Sequence, residues 1–147
     1  MLKSLWRASA LAAGLLACVA AQAHLGGPES SVQADTVKWQ APVSVVRNAR
    51  FVTYTQTSGE GVAVRQYVSP AGVVFAVAWE GPVLPDLDGL LAAYAPVYRD
   101  ALQQRRRSVR IDTPRLYLES GGMMRAYVGR ALVPALMPAG VTVADIP

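Results

Sequence analysis

Cysteine and histidine are nearly absent from the sequence: each occurs once, as Cys18 and His24. A single thiol cannot close an internal disulfide or build a thiolate metal site. With the one histidine so near the start, no interior imidazole remains to act as a general base. Lysine is almost as scarce, Lys38 being the only one beyond Lys3. The chain has no G-x-S-x-G or S-x-x-K motif, no glycine-rich phosphate loop and no internal repeat. Strong charge of one sign is also missing. The formal net charge is +4. Without Lys3 and Arg7 the 14 basic residues become 12 against 10 acidic ones, or +2. That is too mild for an anionic polymer, so nucleic acid is not an expected partner despite a pI near 9.6.

The only long apolar run is Ala8–Ala21, which follows Lys3 and Arg7 and leads into Ala21-Gln22-Ala23. This is the pattern of a cleaved secretory signal covering residues 1–23. The run falls short of the roughly 20 apolar residues a spanning helix needs, so no integral span is expected in the mature chain. Leu15-Leu16-Ala17-Cys18 offers a second exit, because it resembles a lipobox whose cysteine is lipidated; this is the minor alternative. The localisation implied is periplasmic or secreted, with an outer-membrane lipoprotein as the other outcome.

Residues 24–49 show no sustained period of 2 or 3.6 and are expected to form an extended arm, with an edge strand near Val43–Val46. From residue 50 to 147 the pattern predicts one α+β domain. Phe51–Thr57 and Val62–Val68 alternate as strands around Ser58–Gly61. Ser69-Pro70-Ala71-Gly72 has the residues of a type I turn. Val73–Trp79 is apolar on both faces, as a central strand must be, and its small Ala76 and Ala78 would admit a helix. Pro85, Asp86 and Asp88 open a helix whose face carries Leu87, Leu91, Tyr94, Tyr98 and Leu102. Pro96 implies either a kink or two short helices. Val109–Asp112 and Arg115–Glu119 read as strand pieces, Ser120-Gly121-Gly122 as a turn, and Met123–Leu132 as the closing arm of a hairpin. Residues 133–147 read as an irregular surface tail. The fold predicted is thus an antiparallel three-strand meander, one proline-kinked helix packed on the sheet, and a C-terminal β-hairpin.

Several stretches resemble one family of small exported proteins of Gram-negative bacteria, domain of unknown function 2844. They are Leu25-Gly26-Gly27, Tyr67-Val68-Ser69 with Gly72, Val74–Trp79 with Gly81-Pro82, and Pro85-Asp86-Leu87 with Leu90-Leu91. Glu119–Gly122 with Met124-Arg125, Gly129-Arg130-Ala131 and Pro138–Val141 extend the likeness over the whole mature chain. The resemblance implies no activity, cofactor or catalytic residue. In that family a small residue usually precedes the Leu-Gly-Gly, so His24 is particular to this chain.

Four groups of residues have a chemistry to weigh. Glu80 and Asp86 flank the helix start and could act as an acid–base carboxylate pair in an envelope hydrolase, although turn and capping roles account for both. Arg105, Arg106, Arg107 and Arg110 could contact anionic head groups, or simply close a helix. His24, as a new N-terminus, could offer an amine and an imidazole to copper but lacks a second histidine. Cys18 is the lipidation candidate. No cofactor is expected. The reading that follows is an exported, non-catalytic binding or accessory protein whose partner is an envelope protein or lipid, with the hydrolase and the lipid-anchored component as alternatives.

Overall fold

The computed structural model describes residues 24–104 and 108–147. Its frame is a seven-stranded antiparallel sheet, larger than the predicted meander and hairpin. Strands β1 (Val43–Arg47), β2 (Val52–Thr57), β3 (Ala63–Val68) and β4 (Val74–Gly81) follow one another as hairpins. The chain then crosses one face as helices α2 (Leu87–Leu91) and α3 (Ala95–Gln104) to reach the far edge. It returns inward through β5 (Val109–Asp112), β6 (Tyr117–Met123) and β7 (Ala126–Leu132), and β7 pairs with β4. The sheet order is therefore β1-β2-β3-β4-β7-β6-β5. The predicted terminal hairpin completes this sheet by docking on its central strand.

Burial on both faces explains the apolar text of β4. Val74, Val77 and Trp79 join Leu87, Leu90, Leu91 and Tyr98 on the helical face. Phe75, Ala76 and Ala78 join Tyr67, Leu132, Val141 and Ile146 on the other. The alternation breaks at Phe75, because Tyr67 pairs with Ala76 while Val68 pairs with Val74. Phe75 is the extra residue of a β-bulge, which turns two successive side chains to the same face. The small Ala76 and Ala78 thus accommodate the C-terminal segment, where the sequence suggested a helix.

That segment, residues 133–147, is the second layer and not a loose surface tail. Two short 3₁₀ turns, Pro134–Leu136 and Val143–Asp145, direct Val141 and Ile146 into the core beneath them. A reciprocal capping box between Thr142 and Asp145 fixes the second turn. The arm expected at residues 24–49 is also ordered. Leu25 is buried, its N–H donates to Leu90 O, and Gly26 N–H and Val74 N–H pair with Val74 O and Gly27 O respectively. Helix α1 (Glu29–Trp39) follows, packed on the helical face through Val32 but also through buried Ser31 and Asp35.

Between α2 and α3 the helix breaks at Ala92 (φ 47°, ψ −112°), and Pro96 sits in the first turn of α3, where a missing N–H is tolerated. Of the two readings of Pro96, two short helices is the one observed. Leu102, expected on the buried face, is 38% exposed.

Candidate functional site

Glu80 ends β4 and points to the face covered by the C-terminal segment, where it accepts from Arg65 Nη2 at 2.6 Å. Asp86 caps α2, accepting from Gly89 N–H at 3.1 Å, and α2 packs on the opposite face. The two carboxylates of the hydrolase reading therefore serve separate structural duties on different sides of the sheet. Arg110 lies on the C-terminal-segment face, 3.3 Å from Glu119 and over the Tyr117 ring. Arg105, Arg106, Arg107 and Cys18 lie outside the described residues. His24 is half-buried, its ring packed against Gly27. Among the described residues, no group of three or more His, Cys, Asp or Glu side chains could hold a metal ion, and no helix is long and apolar enough to cross a membrane.

A polar cluster around Arg130 was not legible as a unit in the sequence. Arg130 on β7 and Glu119 on β6 are directly paired across the strands. Arg130 donates to Glu119 Oε2 from Nε (3.0 Å) and Nη2 (2.8 Å), and its Nη1 donates to Val143 O (3.1 Å) and Ile146 O (2.7 Å). Arg65 adds a contact from Nη1 to Pro147 O at 3.2 Å. Hydrogen bonds from Tyr117 and Arg130 hold the Glu119 carboxyl below its usual range, and the same bond to Glu119 raises the Tyr117 phenol. Beside this cluster lies an open cavity of about 450 Å³, floored by Val128 and Gly129 and bounded by Arg110, Glu119, Arg130 and Pro147. Four of the five N–H donors of Arg130 are already engaged within the fold. The cluster is built to hold the C-terminal segment to the sheet, not to receive a charged ligand.

A different surface is left exposed by the described residues. The β6–β7 hairpin closes through Met124-Arg125, since Met123 pairs with Ala126. Gly122 permits the approach of the two strands, because a Cβ there would fall 2.8 Å from Tyr127 Cα. Arg125, the second residue of the loop, takes the left-handed conformation (φ 68°) that a type II turn places at this position. The consequence is that Met123 and Met124 stand 80% and 90% exposed. The β4–α2 loop beside them presents Val83 and Leu84, also exposed. Two shallow depressions join these loops. One is about 230 Å³ and includes Leu84, Leu102, Met123, Met124 and Tyr127; the other, about 360 Å³, includes Val83, Leu84, Met124, Arg125 and Tyr127. Among the described residues lining either depression there is no carboxylate, and Arg125 is the one charged side chain.

The architecture is that of a small α+β protein, an antiparallel sheet covered by helices on one face and by its own C-terminal segment on the other. The chain belongs to the family described as protein of unknown function (DUF2844), whose model matches residues 21–146. No curated protein and no solved structure matches it. The stretches that carried the resemblance fall largely at structural junctions. Leu25-Gly26-Gly27 bridges β4 and α2, Gly129 lies under Trp79, and Arg130 clamps the C-terminal segment.

Proposed function

We propose that this is an exported, non-catalytic binding or accessory protein of the bacterial envelope, working through the apolar ridge formed by the β4–α2 loop and the β6–β7 hairpin. The observation that carries this reading is the grouping of Met123, Met124, Val83 and Leu84 in the open, next to a core that closes without them. Scattered exposed apolar residues need no explanation, but a contiguous group on two adjacent loops marks an interaction surface. The signal pattern of residues 1–23 supports export. The separate structural roles of Glu80 and Asp86 favour binding over the hydrolase alternative.

Site-specific photocrosslinking in intact cells tests the reading. A photoreactive side chain at position 124 is expected to give adducts that the same group at position 46, on the exposed edge strand β1, does not give. Equal yields from both positions would remove the ridge as the working surface. Robust turnover of an envelope substrate by the purified protein would overturn the non-catalytic assignment.

A further inference from the structure

We infer that the ridge docks on the surface of an anionic phospholipid bilayer, an inference that rests on the ridge being the working surface. Three features choose this occupant. The first is size and shape. The ridge comprises six side chains, Val83, Leu84, Met123 and Met124 on the two loops with Leu102 of α3 and Tyr127 of β7 beside them, whereas a stable protein interface takes roughly 20–30 residues a side. A few protruding apolar side chains are enough to enter the boundary between head groups and acyl chains. Unbranched, polarisable methionines adapt to a disordered medium, and Tyr127, half-buried behind them, has the apolar body and polar tip that suit the head-group level.

Charge is the second feature. Arg125, beside Met124 in the hairpin turn, lines the depression that joins the two loops, and no carboxylate among the described residues lines either depression. Anionic head groups would give this guanidinium the partner that the described residues do not supply. The third feature argues against a second copy of the chain. A two-fold contact of ridge on ridge would bring the two copies of Arg125 together, with no carboxylate among the described residues lining either depression to separate them.

The test uses protein purified from the envelope of cells producing the full chain, with its intact mass recorded. Sedimentation is measured with phosphatidylglycerol-containing vesicles and with pure phosphatidylcholine vesicles. Binding is expected to the first and much less to the second, and to fall with added salt. Met123→Asp/Met124→Asp should weaken it at least tenfold, and Arg125→Gln about fivefold, the equivalent of one cation near a charged membrane. Because Met123 and Met124 are so exposed, the double variant should keep the wild-type unfolding temperature, which separates lost docking from lost folding. Three results overturn the proposal: no vesicle binding, vesicle binding indifferent to Met123→Asp/Met124→Asp, or a solution dimer that this variant dissociates. Protein adducts from position 124 without vesicle binding would refute the lipid surface and leave the ridge standing. No adducts from position 124 in intact cells together with no vesicle binding would refute both.

Discussion

Replacing Gly129 should be among the most damaging single-methyl additions to this protein. Gly129 on β7 pairs with Trp79 on β4, and the buried indole lies across it. A Cβ at position 129 would lie 2.5 Å from Trp79 Cε2, closer still to Cζ2, and 2.8 Å from the backbone oxygen of Glu119. The first two contacts are with a rigid ring wedged under the helices and the third is with backbone, so neither neighbour can yield cheaply. Overpacking of this kind costs about 1–3 kcal/mol, and the upper end applies here. Relieving a strand of glycine returns about 0.5–1 kcal/mol. Gly129→Ala is therefore expected to lose about 2–2.5 kcal/mol.

The cause can be isolated with a second substitution. Trp79→Leu removes the clashing atoms, at about 2–4 kcal/mol for the lost aromatic volume. No hydrogen bond is forfeited among the described residues, since the indole Nε1 has no partner there. If the ring is the obstacle, Gly129→Ala/Trp79→Leu should be less destabilised than the sum of the two single changes by about 1–2 kcal/mol. The rescue stays partial because the Glu119 carbonyl remains in place. Urea unfolding of all four proteins with a common m-value measures this coupling. Additivity within about 0.5 kcal/mol, or a Gly129→Ala protein as stable as wild type, would refute the reasoning.

Ala92→Gly should do the reverse of the usual helix rule and stabilise the protein by about 1 kcal/mol, because φ 47° and ψ −112° suit only a residue without Cβ; a raised thermal midpoint checks it. Arg130→Met strips the C-terminal segment of two carbonyl partners and leaves Glu119 only its contacts with Arg110 and Tyr117. A loss of about 2–3 kcal/mol is expected, together with faster amide exchange at Val141 and Ile146, whose N–H groups are otherwise bonded within that segment. Acid should expose the same cluster. Glu119 has a folded value depressed below its ordinary 4.5, so its contribution is complete above that pH and is lost as pH falls through the lower folded value. A stability–pH curve for Glu119→Gln should accordingly be flatter than wild type on this acid limb, and an unchanged slope would contradict the assignment.

The readability of this chain followed the chemistry of what each element buries. Strands β2 and β3 were visible because β-branched and aromatic residues alternate along them, although Gln56 and Gln66 are buried too, and β4 was apolar on both faces because both faces are covered. Helix α1 was invisible for the opposite reason: Ser31 and Asp35 are buried beside Val32, so no 3.6-residue apolar period forms. Its interface with the sheet is polar. Tyr54 donates to Glu29, and Gln56 Nε2 donates to Thr36 at 2.8 Å, pairings that sequence periodicity does not encode. The C-terminal segment hid its role because Val141 and Ile146 are single anchors separated by turns. Ser120-Gly121-Gly122 looked like a turn, whereas these residues continue β6 and displace the real turn to Met124-Arg125.

That displacement also decided the functional reading. Met123 and Met124, read as the start of the closing arm of a hairpin, give no hint of a surface. Only when the pairing of Met123 with Ala126 makes them the tip of the hairpin do they become exposed beside Val83 and Leu84. The candidates most visible in sequence, Glu80 and Asp86, were visible because acidic residues near a helix start are conspicuous, and that conspicuousness reflects capping and ion pairing. A site made of apolar side chains has no such signature. It is defined by the absence of a cover, which sequence cannot display until the register of every neighbouring strand is fixed.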